Sequence, residues 1–249
     1  MELERSVILV KAWPQPSAKY GETVCCAGVT PDGEWRRLFP IRFRHLTGDR
    51  QFSRWDTVEY VPRLPVSDRR KESRTIEENR LKRVGQLKPA SRGDFLASLI
   101  RPSIFAAAER GESLALVRPD SFEFVWKRKA DAEIEADREK RGRTLSQGSL
   151  FDKELAAIEP CPFDIRMRFT DETGRHDMAC GDWETAATFF KWRREYGEDS
   201  ALLRLKNRYE GEYADAGVAF AFGTMAKHPT TWILLGIIRL DESHQMRLI

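Results

Sequence analysis

The sequence has few cysteines and no long apolar run. Four of its 249 residues are cysteine, and only Cys25 and Cys26 are adjacent. This spacing fits neither a disulfide framework nor a zinc ribbon with paired CxxC motifs. No stretch approaches the roughly 18 apolar residues that span a bilayer, and the N-terminal residues lack an apolar signal segment. We therefore expect a cytoplasmic protein with no membrane partner.

The common catalytic and nucleotide-binding motifs are missing as well. The sequence contains no Walker A loop, no G-x-G-x-x-G, no G-x-S-x-G and no H-E-x-x-H. Their absence removes the commoner nucleotide-binding, hydrolase and zinc-protease functions. The net charge of +3 is too small to identify a partner by itself. Local clusters of basic residues therefore carry more information than the total.

One stretch, Lys19 to Arg44, combines a hairpin pattern with basic and aromatic side chains. An apolar run from Val24 to Val29 precedes the turn signal Pro31-Asp32-Gly33, and a second strand pattern begins at Trp35. Guanidinium forks beside flat rings suit phosphate contacts and base stacking. The predicted nucleic-acid contact residues are Lys19, Trp35, Arg36, Arg37, Arg42 and Arg44. The alternative is that the rings fill a core and the arginines only solubilise the outer face.

Strand and helix patterns together predict an α+β fold. Three strand patterns precede residue 62 without a helical period between them, which favours an antiparallel sheet or small barrel. Later strands are predicted at 114–117, 122–126, 163–169, 176–180, 218–223 and 232–238. Helices are predicted at 94–100, 103–110, 183–196 and from about residue 200, with a polar helix at 75–84.

The segment 127–148 is poor in apolar residues and predicts a flexible linker or insertion. It divides the chain into an N-terminal part, 1–126, and a β-rich C-terminal part, 149–249, with two helices. Near its end, Gln147, Leu150 and Phe151 resemble the Q-x-x-L-F peptide with which bacterial proteins dock on the DNA sliding clamp. The alternative is that Leu150 and Phe151 anchor the returning chain to the core.

Three short segments carry a resemblance to a known family. Ile8-Leu9-Val10, Cys25-Cys26-Ala27-Gly28-Val29 and Gly33-Glu34-Trp35-Arg36-Arg37 resemble the opening of the dual OB-containing domain family. That family is associated with bacterial DNA-modification and phage-conflict loci. The resemblance implies two OB-like barrel halves with helical insertions, and a nucleic-acid partner that is DNA in preference to RNA.

Cys25 with Glu22 is the pairing that suggests covalent chemistry. A thiolate could attack an activated carbon, such as the nitrile of a modified deazaguanine base, while the carboxylate moves protons. Their odd spacing places the two side chains on opposite faces of a strand, so the pairing requires a bulge. The alternative is that both Cys25 and Cys26 are small buried hydrophobic residues.

Histidine and carboxylate residues are densest between residues 176 and 184. His176, Asp177, Asp182 and Glu184 could hold a divalent cation for phosphodiester hydrolysis. Asp182 has a competing structural role as a helix cap. We assign no metal ligands here, and the sequence identifies no cofactor.

These observations lead to three functional hypotheses. The first is a nucleic-acid-binding accessory protein of a prokaryotic DNA-modification or defence system. The second is a cysteine-dependent enzyme that acts on a modified nucleobase, for which Cys25→Ser should abolish turnover. The third is a purely structural subunit, for which Arg36 and Arg37 can both be replaced by alanine without consequence.

Overall fold

Within the residues that the structure describes, three β-sheets and several helices form the fold. A computed structural model describes residues 3–17, 21–66, 68–146 and 158–242. The predicted contact residue Lys19 and the clamp-like residues Gln147, Leu150 and Phe151 lie outside the described residues.

The first sheet contains seven strands from the N-terminal part of the chain. They are β1 (Glu4–Lys11), β2 (Gln15–Ser17), β3 (Gly21–Val29), β4 (Trp35–Ile41), β5 (Asp56–Tyr60), β6 (Ser73–Thr75) and β7 (Lys82–Gln86). Their order is β6-β4-β3-β1-β5-β7, with β2 paired to β3. Strands β3 and β4 pair antiparallel, which confirms the predicted hairpin.

Strand β1 runs through the middle of this sheet and is buried on both faces. Val7 and Leu9 join one apolar cluster, whereas Ile8 between them joins another on the opposite face. Burial on both faces explains why this strand is a continuous apolar run rather than an alternating one.

The other two sheets come from the later part of the chain. Strands β8 (Ile100–Arg101), β9 (Leu114–Val117), β13 (Val218–Met225) and β14 (His228–Arg239) form one sheet, in the order β14-β13-β9-β8. Strands β10 (Ser121–Arg128), β11 (Phe163–Asp171) and β12 (Gly174–Ala179) form the other. The α-helices are α1 (Arg92–Ala97), α2 (Ile104–Glu109), α3 (Asp131–Ser146), α4 (Trp183–Tyr196), α5 (Glu198–Asn207) and α6 (Ala214–Ala216).

The structure confirms the mixed α+β class but does not show the predicted small barrels. Strands β6 and β7 are the two edges of the first sheet, and within the described residues they do not pair with each other. The predicted polar helix at 75–84 is wrong, because this segment contains a 3-10 turn at Glu78–Arg80 and enters β7. Pairing of β7 with β5 overrides its local polar composition. None of the described helices is long and apolar enough to cross a membrane.

Most of the predicted linker segment is helical. Helix α3 occupies 131–146, and its Arg141 lies 5.5 Å from the centroid of the Trp13 ring. Arg141 Nη1 also donates to the carbonyl of Pro14 at 3.3 Å. One apolar cluster combines residues from β1, β9, β13 and β14, so strands from both parts of the chain share a core. The boundaries at 126 and 149 stay a prediction.

Asp182 joins three separate elements of the fold. Its carboxylate is 1% exposed and accepts a hydrogen bond from the Glu184 amide at 3.1 Å, which confirms the predicted cap of α4. The same carboxylate accepts two bonds from Arg54 Nη2, at 2.8 and 3.0 Å. It also accepts one bond from the Ile237 amide, at 3.2 Å. The turn before β5, helix α4 and strand β14 therefore meet at one buried carboxylate.

Gly28 allows β1 and β3 to approach closely, which gives a test of the sheet. A Cβ atom at Gly28 would lie 2.6 Å from the carbonyl oxygen of Val7. We expect Gly28→Ala to lower the free energy of unfolding by about 1–3 kcal/mol, measured by urea denaturation. Gly142 in α3 has no atom within 4 Å of its Cβ position, so Gly142→Ala should instead stabilise by roughly 0.5–1 kcal/mol. If Gly28→Ala left the free energy of unfolding unchanged, this would contradict the close approach of β1 and β3.

Asp182 gives a second test, because its removal leaves a buried guanidinium without its carboxylate. We expect Asp182→Asn to lower the free energy of unfolding by about 3–5 kcal/mol. Asp177→Asn is the control, because Asp177 pairs with Arg166 at 2.6 Å on the surface and should cost no more than about 1 kcal/mol. Equal losses for the two variants would show that the Arg54–Asp182 pair does not have the proposed structural role.

Candidate anion-binding pocket

A pocket of about 320 Å³ lies beside the Asp182 junction. Basic and aromatic side chains from distant parts of the sequence make up most of its wall. The charged wall residues are Arg54, Arg92, Arg208, Arg239, Glu184 and Asp241, and the aromatic ones are Trp55, Tyr209 and Tyr213. Four arginines against two carboxylates leave the wall with two excess positive charges.

Arg54 is held rigidly from behind. Both carboxylate oxygens of Asp182 accept hydrogen bonds from its Nη2, and the Ile237 carbonyl accepts a bond from Nη1 at 2.6 Å. Burial disfavours a charged guanidinium, but the carboxylates of Asp182 and Glu184 outweigh it and raise the pKa of Arg54 above its ordinary value. Arg54 is thus a fixed positive charge at the base of the pocket wall.

Arg92 is oriented by a ring on one side and a carboxylate on the other. Its guanidinium carbon lies 4.4 Å from the centroid of the Trp55 ring, and its Nη1 pairs with Asp241. Asp241 also pairs with Arg239 Nε at 2.5 Å. One carboxylate therefore positions two arginines of the wall while neutralising only one of their charges.

Backbone strain coincides with this pocket. Trp55 and Asp241 have φ angles of 75° and 53°, and in the described part of the chain they are the two non-glycine residues with positive φ. Aspartate tolerates this conformation, but a bulky aromatic residue there is a genuine outlier. Such strain costs about 1–3 kcal/mol and tends to cluster at binding and catalytic sites.

A π-helical turn at Arg208–Tyr213 supplies another part of the wall. The guanidinium of Arg208 lies 5.6 Å from the Tyr213 ring centroid and 5.7 Å from that of Trp192. Tyr209 Oη lies 2.6 Å from Thr185 Oγ1, and burial raises the pKa of Tyr209 well above its ordinary value. Single π-helical turns interrupt α-helices at a cost and occur often at functional sites.

Two arginines of the pocket have an unpaired buried nitrogen. Among the described residues, the Nε atoms of Arg54 and Arg92 are buried and have no hydrogen-bond partner, as is also true of Arg37 Nε outside the pocket. An unpaired buried donor costs about 1–3 kcal/mol. These Nε atoms are shielded from solvent, so they are not the donors that an anion in the pocket would meet. The suitability of the wall for an anion rests on its four guanidinium groups.

Glu184 limits how strongly positive the pocket can become. Its carboxylate pairs with the buried Lys11 ammonium at 2.6 Å. Burial alone would raise the pKa of Glu184, but the charges of Lys11 and Arg54 outweigh it and hold that pKa below its ordinary value. Glu184 is therefore ionised at neutral pH, and its charge is partly compensated by Lys11.

The arginines predicted from the hairpin are not brought together on one surface. Arg36 and Arg37 are consecutive on β4, so their side chains point to opposite faces of the sheet. Arg36 Nε pairs with Glu4 at 2.6 Å, whereas Arg37 is 4% exposed and donates to the Ser113 carbonyl at 3.0 Å. Arg42 Nε pairs with Glu78 at 2.9 Å.

The two remaining described residues of that prediction are only partly exposed. Trp35 is half-buried and packs against the apolar cluster beneath β1 and β3. Arg44 is half-buried in a 3-10 turn at Phe43–His45. A role of these hairpin residues in nucleic-acid contact stays a prediction, but the single shared surface on which it was based is not present.

The predicted catalytic pair receives only partial description. Cys25 is half-buried, and the side chain of Glu22 lies outside the described residues. Cys26 is fully buried, and burial raises its pKa, which keeps its thiol protonated. Cys26 is therefore the small hydrophobic residue of the alternative interpretation.

The predicted cation-binding group is divided among different partners. His176 Nε2 lies 2.9 Å from the buried Asp171 carboxylate, whereas Asp182 pairs with Arg54 and Glu184 with Lys11. Hydrogen bonds from Thr173 and His176 outweigh burial and lower the pKa of Asp171. Across the residues that the structure describes, no three histidine, cysteine or carboxylate side chains are placed to hold a metal ion.

Sequence reasoning did not identify the pocket because its wall comes from five separate segments. Arg54 and Trp55 precede β5, Arg92 begins α1, Glu184 lies in α4, Arg208 begins the π-helical turn, and Arg239 ends β14. No local motif connects them. The one relevant local signal was the Asp182 cap, which marks the junction but not the arginines around it.

Comparison with known proteins assigns families without assigning a function. No curated protein sequence matches the chain. Residues 2–101 match the domain of unknown function DUF8758, and residues 102–249 match the domain of unknown function DUF8757. The second match covers more than half of the length of the chain, so the chain belongs to the DUF8757 family.

Proposed function

We propose that this protein binds nucleic acid, with the arginine-rich pocket as its phosphate-contact site. The observation that carries the proposal is the convergence of Arg54, Arg92, Arg208 and Arg239 on one cavity with two excess positive charges. Arginine forks bind phosphate with directional, charge-assisted hydrogen bonds. The excess of positive charge on the wall supports an anionic ligand over a neutral one.

A basic strand beside the pocket supports a polymeric ligand. All five residues of β7 are exposed, and this edge strand contains Lys82 and Arg83. Exposed Lys88 and then Pro89 follow, and Pro89 is itself part of the pocket wall. The ion pairs of Lys82 with Asp49 and of Arg83 with Asp56 are long, at 3.8 and 3.7 Å. These cations can contact further phosphates of a strand held at the pocket.

Three further points stay predictions from the resemblance. They are membership of a DNA-modification or defence system, the preference for DNA, and the OB-like architecture. Cysteine-dependent base chemistry likewise stays a prediction, and its test is the turnover of a Cys25→Ser variant. The binding proposal depends on none of them.

Replacement of two of the pocket arginines tests the proposal. We expect Arg208→Ala combined with Arg239→Ala to weaken the binding of 5′-phosphorylated single-stranded oligonucleotides at least about tenfold. The slope of log affinity against log salt should fall by up to about 2, because two phosphate contacts are lost. Fluorescence anisotropy over a salt series, with DNA and RNA of the same mixed sequence, measures both quantities.

The matched control removes two exposed arginines elsewhere. Arg128 and Arg138 are more than half exposed and pair with Glu198 and Glu135. The combined Arg128→Ala and Arg138→Ala variant should bind as the wild type does. An equal loss in this control, binding insensitive to salt, or no binding by the wild type would contradict the proposal. A tenfold loss of affinity in the Arg36→Ala variant alone would indicate that the contact site is on the hairpin instead.

A further inference from the structure

Two pocket arginines are already in contact with aromatic rings in or next to the wall. Arg92 lies over Trp55, and Arg208 lies beside the rings of Trp192 and Tyr213. Tyr213 also packs edge-to-face against Tyr209, with ring centroids 5.1 Å apart. These rings orient guanidinium groups through cation–π contacts and have little free face for a nucleobase. The ligand group that the pocket selects is therefore the phosphate rather than the base.

The charge of the wall distinguishes between two kinds of phosphate. A phosphodiester inside a strand carries one negative charge, whereas a phosphomonoester carries about −1.5 to −2 at neutral pH and offers three acceptor oxygens. The wall has an excess of two positive charges. A monoester matches this charge, and a diester leaves part of it uncompensated.

The volume of the pocket agrees with a single terminal group. At about 320 Å³ it lies at the lower end of the range for small-ligand sites, roughly 300–1,000 Å³. A site of this size admits about one nucleotide unit. The adjoining β7 and Lys88 lie outside it, where the rest of a strand can run.

We infer that the pocket recognises the terminal phosphomonoester of a nucleic-acid strand. This inference rests on the proposed nucleic-acid binding and adds selectivity for a strand end. Arg54 and Arg92 act as fixed donors, because Asp182 and Asp241 hold them in place. Arg208 and Arg239 complete the contact from other parts of the wall.

The experiment compares oligonucleotides that differ only at their ends. One internally labelled single-stranded sequence is prepared with a 5′-phosphate, with a 3′-phosphate, or with hydroxyls at both ends. We expect at least one phosphorylated form to bind at least about tenfold tighter than the hydroxyl form, because charge-assisted hydrogen bonds are lost with the phosphate. The form that gains affinity identifies which strand end is recognised.

A pocket variant and competitors complete the test. Arg208→Gln should bring the affinity ratio of phosphorylated to hydroxyl forms towards one, whereas Arg128→Gln, outside the pocket wall, should leave the ratio unchanged. A nucleoside 5′- or 3′-monophosphate should compete for the site, and the unphosphorylated nucleoside should not.

The outcomes separate the two proposals. Equal and tight binding of all three oligonucleotides would overturn the end selectivity and leave nucleic-acid binding intact. Binding of the monophosphate without binding of any oligonucleotide would overturn both, because the pocket would then serve a free nucleotide. An unchanged ratio in Arg208→Gln would overturn the assignment of the end site to this pocket.

Discussion

The buried carboxylate of Asp182 is the constraint on which the arrangement of the other elements depends. Removing a carboxylate from water costs several kcal/mol unless its oxygens are paired. Arg54, the Ile237 amide and the Glu184 amide supply those partners from the turn before β5, from strand β14 and from helix α4. Satisfying Asp182 therefore requires all three elements to be in place at once. The pocket wall forms around this junction as a consequence.

The same junction accounts for the strained backbone at Trp55. Its amide donates to the Ile8 carbonyl at 2.7 Å, and its carbonyl accepts from the Leu87 amide at 2.8 Å. These bonds fix the residue between the neighbouring strands of the sheet, and Arg54 directly before it is fixed by Asp182. The surrounding structure thus over-determines a conformation that the residue alone would avoid. The result is a buried ring placed directly beneath Arg92.

Sequence patterns predicted the elements that depend on neighbouring residues in the sequence. They missed the elements that depend on contacts between distant parts of the chain. The hairpin around Gly33 and the cap at Asp182 follow from turn and capping preferences, and both are present. Strand β7 has the composition of a solvated helix, and only its pairing with β5 makes it a strand. The pocket is the extreme case, because none of its arginines is distinguished by its sequence neighbours. The pocket could be found only from the three-dimensional structure.

The hairpin and the pocket show why counting arginines does not locate an anion site. Arg36, Arg37 and Arg42 pair with different carboxylates, so each charge is compensated where it lies. In the pocket, a single Asp241 serves both Arg92 and Arg239, and Arg208 lies beside the rings of Trp192 and Tyr213. Sharing one carboxylate between two arginines leaves uncompensated charge in one place. Affinity for an anion depends on that residual charge and on its fixed geometry, rather than on the number of basic residues nearby.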